Sequence, residues 1–313
     1  MVASNTSAPS TAAPRARPRW AARRQQIGAA YAAPAAVIVG VFFLVPLVLV
    51  LWMSLHEWPL IGAPTRNLPA NYTGIANNPL FAGAVAFTLK YTVIVTIVLF
   101  GAAFGLALLV QRHRPGVGLF RTAFFLPGAV GFATASLLFY GLLSRDLGPV
   151  NAMLQALGLI DRSVSLVSGS PNLALGSSIG LVVWRFAGFN MLILLNGLQA
   201  IPEDLYEAAR IDGAGRWAQF TAITLPLMRS TIALVLIVMI TGSLLAFDQF
   251  YILTNGGPDN STTSIVMVIV REAFVRFDLG SAAAVSVVVL AALIALNVLQ
   301  LRILRRGHAG DER

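Results

Sequence analysis

The 313-residue chain contains no cysteine, which excludes disulfides and thiol catalysis. Charge is scarce too: 11% of the residues are Asp, Glu, Lys or Arg, where a soluble globular domain carries about 25%. Three histidines (His56, His113 and His308) lie too far apart for a metal-ligand spacing. No G-x-x-x-x-G-K-[ST] segment occurs, so the chain lacks the loop that holds nucleotide phosphates in P-loop enzymes. No Ser/His/Asp grouping or deep carboxylate pair points to a hydrolase, and the chain reads as a non-enzyme with no metal site. What abounds is apolar: 57% of residues, with mean hydropathy +0.77, which places most of the chain in lipid. The net charge of +9 does not mark a nucleic-acid binder, because the arginines fall beside apolar runs in the manner of membrane topology signals.

Residues 1–26 are rich in Ala, Pro, Ser and Thr and then basic, and they predict a disordered cytoplasmic tail. A cleaved signal peptide fits less well, since the next apolar run exceeds the 7 to 15 residues of an h-region. Residues 27–306 form the membrane domain, and 307–313 a short cytoplasmic tail. Six runs have the length that crosses a bilayer, about 20 residues at about 1.5 Å each. They lie near 31–55, 82–110, 121–143, 177–199, 229–251 and 280–304. The expected fold is therefore all-α and polytopic, with six transmembrane helices.

With the N-terminus inside, the cytoplasmic segments hold Arg15, Arg17, Arg19, Arg23, Arg24, Arg112, Arg114, Arg121, Arg210, Arg216, Arg229, Arg302, Arg305, Arg306 and Arg313. The outer segments hold only Arg66, Arg145, Arg162, Arg271 and Arg276. That asymmetry predicts both termini in the cytoplasm. Outside, residues 144–176 predict a loop with one short helix near 150–157. Residues 254–279 open on an Asn-Gly-Gly-Pro turn and continue with an apolar stretch at the outer interface.

The segment between the fourth and fifth runs carries the strongest signal. Glu207-Ala208-Ala209 is followed after three residues by Gly213, and after nine more by Ile223-Thr224-Leu225-Pro226. Pro202 with Glu203 and Asp204 starts a helix; Gly213 and Gly215 end it; residues 216–224 suit a second short helix, and Leu225-Pro226 opens the next span. From residue types alone, an amphipathic connector at the interface and a docking element are equally good readings. A docking element needs a rigid helix, small side chains such as Ala208 and Ala209 that let a partner approach, and a carboxylate such as Glu207 for charge-assisted hydrogen bonds.

This spacing resembles the EAA loop of the permease subunits of bacterial ABC importers. The likeness extends over nearly all of residues 27–306. Trp184 to Asn190, Leu195 to Pro202, Phe247 to Thr254, the Gly256-Gly257-Pro258 turn and Phe277 to Ala284 are similar to the carbohydrate (maltose-transporter) type. The resemblance implies that Glu203, Tyr206, Glu207, Ala208, Ala209, Asp212, Gly213, Ile223, Leu225 and Pro226 form the coupling surface for an ATPase. It implies a second homologous permease, a dimer of ABC ATPase subunits, a solute-binding protein outside, and lipid around the spans. No cofactor binds this chain directly; ATP and Mg belong to the ATPase. The solute is a sugar or related polyol, moved inward by alternating access.

Polar groups inside the runs point to a pathway. A charge at the bilayer centre costs about 3 kcal/mol, so it faces a cavity or a partner. Arg185, Asn190 and Asp248, with flat surfaces from Trp184, Phe189 and Phe250, suit a hydroxylated solute. An Arg185–Asp248 ion pair that only fixes two helices is an equally weighted reading. Lys90, nearer a span end, snorkels to the headgroups. The alternative function is a secondary, ion-coupled transporter; few intramembrane acids and no evident repeat speak against it, and a requirement for ATP separates the two.

Overall fold

The computed structural model describes residues 19–59, 61–111, 115–146 and 148–309. Residues 1–18 of the expected N-terminal tail, Arg112, Arg114 and residues 310–313 lie outside the described residues. The chain divides into two units, Met1–Val50 and Leu51–Arg313. The described part of the first holds α1 (Arg19–Val39), a π-helical segment Gly40–Leu44 and the start of α2 (Val45–Met53). Helix α1 begins at Arg19, inside the stretch expected to be a tail, because residues 19–26 contain neither Gly nor Pro and are mostly Ala, Arg and Gln, all good helix formers.

The second unit begins with a small antiparallel pair, β1 (His56–Glu57) and β2 (Thr65–Arg66). Then come α3 (Ala70–Ala76), α4 (Pro79–Val110), α5 (Val117–Phe125), α6 (Phe132–Leu143), α7 (Pro149–Ala156) and α8 (Pro171–Gln199). They are followed by α9 (Glu203–Ile211), α10 (Arg216–Gln219), α11 (Leu225–Leu244), α12 (Ile265–Val270) and α13 (Leu279–Ala309). Among the described residues five helical stretches are long and apolar enough to cross a membrane, and α5 with α6 makes a sixth if taken as one span. The all-α polytopic expectation holds.

Three expected elements differ. The third span is bent by 97°. Pro127 heads a 3₁₀ turn over Leu126–Ala129, and Val130 and Gly131 then run extended before α6 starts, as Pro and Gly favour. The fifth span starts earlier than expected: α10, a π segment Phe220–Thr224 and α11 form one continuous stretch, Arg216–Leu244. Pro226 therefore lies inside the helix rather than opening it. A proline clashes with the carbonyl four residues back, here Ala222, and the wider π turn relieves this. The same pairing occurs at Gly40–Leu44 before Pro46. The fifth span also ends earlier, at Leu244, after Gly242-Ser243; Asp248 lies beyond that end, leading a further π segment, Gln249–Thr254. The final helix reaches Ala309, past the expected start of the C-terminal tail, since neither Gly nor Pro occurs between Gly280 and Gly307.

The core lies where α4, α8 and α11 meet. Tyr91, Val95, Met191, Leu194, Met228 and Val235 are all nearly inaccessible. Small residues set the spacing, as in lipid, where close backbone approach replaces the hydrophobic drive. Ala103 and Ala107 are fully buried on α4. A Cβ on Gly188 would meet the Phe124 carbonyl of α5, and one on Gly197 would lie 2.6 Å from Thr231 Oγ1 of α11.

The expected interfacial stretch after the Gly-Gly-Pro turn is α12, and it is not superficial: Met267 and Val268 are each 1% exposed. It runs into a π segment, Arg271–Val275, in which the carboxylate of Glu272 is buried and accepts a 2.8 Å bond from Arg276 Nη1. Burial pushes this carboxyl up, Arg276 opposes that and Asp278 adds to it. A carboxyl raised on folding contributes stability that is complete below the unfolded value of about 4.3 and is lost as pH climbs through the higher folded value. The melting midpoint of the wild type should therefore fall relative to that of Glu272→Gln as pH rises from about 4 through the weakly acidic range. Parallel profiles in a thermal-shift titration would contradict this.

Candidate functional site: a coupling loop and a mid-span cation

Helix α9 projects from the end of the bundle where α8 leaves it and α10 returns. Pro202 is its N-cap residue rather than its first helical one, with an extended ψ of 135°. Glu203 and Asp204 follow in the first turn and Arg210 lies in the last, the order the helix dipole favours. The C-terminal end is closed by two reverse bonds, Gly213 N–H to the Arg210 carbonyl (3.1 Å) and Ala214 N–H to the Ala209 carbonyl (2.8 Å). That Schellman closure requires a left-handed residue, and Gly213 has φ +78°. Gln219 Nε2 then donates to the Ala214 carbonyl at 2.8 Å, fixing the start of α10.

One side-chain bond ties α9 to the next span. The Tyr206 hydroxyl lies 2.9 Å from Thr224 Oγ1, and Thr224 is nearly buried where the π segment joins α11. This bond links the middle of α9 to the base of α11. Tyr206→Phe should cost about 1 kcal/mol locally and lower uptake severalfold with no change in membrane level; unchanged uptake would remove the bond from the mechanism.

The other loop residues divide by face. Glu203, Glu207, Ala208 and Asp212 are exposed, as are Leu225 and Pro226, while Ala209 and Ile223 are half-buried. Ala208 and Ala209 do not share a side, because consecutive helical residues stand about 100° apart; only Ala208 leaves the surface low. Sequence reasoning missed the apolar part of this surface. Ile211 is 86% and Trp217 75% exposed, and large apolar residues amid a charged helix-turn segment were the signal for them.

The residues expected to line a pathway lie on α8 and in the chain after α11. Arg185 sits at the midpoint of α8. Its guanidinium lies 5.1 Å from the ring centre of Phe132, the first residue after the break in the third span, and 4.7 Å from that of Phe186. Its Nε is buried without an acceptor, and among the described residues no carboxylate comes within 4.0 Å of it. The expected ion pair is not a contact: Asp248 acts on Arg185 only at longer range. Asn190 is buried, donates to the Phe186 carbonyl at 2.9 Å, and leaves its Oδ1 without a partner. Trp184 and Phe189 are about two-fifths exposed.

Phe250 is a correction. It is fully buried, edge-on to Phe87 and Tyr91 at 5.0 and 4.8 Å, so its ring offers no face to a solute. The π segment folds it back onto α4, and Gln249 Nε2 donates to the Tyr91 hydroxyl at 3.0 Å beside it. Sequence reading missed the Tyr91–Gln249 pair, because two polar groups 158 positions apart become partners only once the chain packs.

Residues 97–307 match the family described as "Binding-protein-dependent transport system inner membrane component". The chain is 33% identical, over 87% of its length and 88% of the relative's, to the sulfoquinovosyl glycerol transport system permease protein SmoG of Agrobacterium fabrum. It is 32% identical, over 86% and 91%, to the lactose transport system permease protein LacF of Rhizobium radiobacter. Its fold is similar, with TM-score 0.80 and 24% identity over 92% of this chain and 98% of the other, to a chain of a bacterial ABC transporter involved in the import of the acidic polysaccharide alginate. A capped, exposed helix between two spans, a mid-span cation with no carboxylate in contact among the described residues and these likenesses agree, and the chain belongs to the binding-protein-dependent inner-membrane components, the permease subunits of ABC importers.

Proposed function

We propose that this chain forms one half of the membrane channel of an importer for a sugar or related polyol. It works with a second homologous permease, a dimer of ABC ATPases that carries ATP and Mg, and a solute-binding protein on the outer side. Both termini and α9 face the cytoplasm, in keeping with the arginine asymmetry. The observation that carries this reading is the geometry of α9: short, rigidly closed at Gly213, exposed along Glu203, Glu207 and Ala208, and bonded through Tyr206 to the base of α11. Closure of the ATPase dimer moves α9, α11 follows, and the pathway switches between inward and outward access.

Arg185, Asn190 and Asp248 line that pathway, with Trp184 and Phe189 as flat surfaces. A cation in mid-span with no carboxylate in contact costs about 3 kcal/mol in lipid, so it faces water or solute. Guanidinium, amide and carboxylate groups match vicinal hydroxyls, and the relatives named for lactose and for sulfoquinovosyl glycerol handle polyhydroxylated solutes. The test is co-expression with the products of neighbouring genes, followed by purification and assay of ATP hydrolysis and uptake. An ATPase subunit and a second permease should co-purify, and Glu207→Ala should weaken their association or coupling. Arg185→Leu should lower uptake at least tenfold while the complex still assembles. Purification of the chain alone, with uptake independent of ATP, would overturn the proposal.

A further inference from the structure

At the end of the bundle opposite α9, a groove of about 540 Å³ opens between the end of α6, the 165–168 turn and the π segment Gln249–Thr254. Its size falls within the range of small-ligand sites, about 300 to 1,000 Å³. The floor is apolar and closed: Val167 and Leu253 are 6% and 1% exposed. The flanks are two tyrosines, Tyr140 and Tyr251, each about half exposed. The Tyr140 ring and the side of the Tyr251 ring not stacked on Phe247 offer faces for the C–H side of a sugar, and their hydroxyls remain open for hydrogen bonds. The rim adds Arg145 and Asp146, the hydroxyls of Ser165 and Ser168, and Asn255.

The rim is held in place. Buried Asn151 donates from Nδ2 to the Ser144 carbonyl (3.2 Å) and accepts at Oδ1 from Val164 N–H (3.0 Å), so one side chain joins two walls. Gly148 and Gly169 leave no room for a Cβ, which would run into the carbonyls of Leu142 and Ser144 and of Ser165 respectively. The third wall is fixed by the Thr254–Thr262 hydroxyl contact at 2.7 Å and by the bond from Thr262 Oγ1 to the Gly257 carbonyl at 2.8 Å. A groove held this firmly is pre-organised, and binding in it loses little entropy.

We infer that this groove is a saccharide subsite at the outer mouth, separate from the mid-span residues around Arg185. Arg145 and Asp146 bring one charge of each sign to the rim, so it carries no net charge, which favours a neutral, short oligosaccharide over an anionic one. A solute released from the binding protein rests here, ring against Tyr140 or Tyr251, before it reaches the span interior. The inference rests on the sugar-importer reading.

The probe is a printed array of neutral and acidic glycans, read with the full chain and its co-purifying subunits in lipid nanodiscs. The wild type should retain neutral oligosaccharides. The double variant Tyr140→Ala, Tyr251→Ala should bind them at least tenfold more weakly with an unchanged melting midpoint. Tyr140→Phe, Tyr251→Phe, which keeps the stacking faces, should lose only about threefold. Binding that survives the double alanine variant overturns the subsite and leaves the importer reading intact. So does an array on which no neutral glycan is retained. Loss of ATP-dependent uptake in the wild type bears instead on the importer reading.

Discussion

Gly213→Val should abolish coupled uptake, by tenfold or more, in a protein that still reaches the membrane at its normal level. A Cβ at this position meets nothing within 4 Å, so crowding plays no part. The effect comes from the backbone, since φ +78° costs an L-residue about 1 to 2 kcal/mol. The helix end then abandons the two bonds that close it, and α9 no longer presents a rigid surface. Because α9 contributes no buried residue to the core, the rest of the fold is untouched. Gly213→Asn supplies the control, since asparagine tolerates the left-handed region, and it should keep most of the uptake. ATP hydrolysis by the assembled complex should persist in Gly213→Val while uptake falls. If Val and Asn behave alike in vesicles, the closed helix end is not what transmits the force.

Gly188→Ala should do the opposite and destabilise the folded protein itself. Here a single methyl group runs into the Phe124 backbone carbonyl, and backbone cannot move aside as a flexible side chain can. Overpacking costs about 1 to 3 kcal/mol where side chains yield; against a carbonyl the cost is expected at the upper end or beyond. The α5–α8 contact it breaks also positions the 97° bend and Phe132 beside Arg185. Gly101→Ala and Gly105→Ala on α4, where a Cβ meets nothing within 4 Å, make the comparison. Fluorescence-detected gel filtration of heated membranes should show a melting midpoint several degrees lower for Gly188→Ala and little change for the α4 pair. Equal midpoints would mean that the helices can separate at Gly188 without cost.

Much of this was readable in the chain itself. Long apolar runs flanked by arginine gave the crossings, because lipid leaves few other solutions to an apolar stretch of about 20 residues. The spacing from Glu207 to Pro226 gave the loop, and the left-handed glycine at 213 followed from its place after a helix. Length alone hid the breaks. Pro127 and Gly131 were present in the third run, yet a count of apolar residues passes over them. The π turns before Pro46 and Pro226 likewise follow from a steric clash that hydropathy does not register.

Facing was the least legible property. In a helix that is apolar all round, periodicity cannot say which side meets protein and which meets lipid. Phe250 consequently read as a pathway surface and packs instead against Tyr91. Ala208 and Ala209 read as one low face, though their adjacency places them on different ones. The Tyr91–Gln249 bond joins residues far apart in the chain and leaves no local trace.

The absence of cysteine permits a direct test of the central claim, that α9 docks onto a separate ATPase at the cytoplasmic face. Ala208→Cys places a single thiol on the exposed side of α9. In membranes containing the whole assembly, a short bifunctional thiol reagent should join this position to an ATPase subunit that carries a partner cysteine. An impermeant thiol label should reach it only in inside-out vesicles. Labelling from the outside, or a thiol that never cross-links although the assembly is intact, would contradict the account.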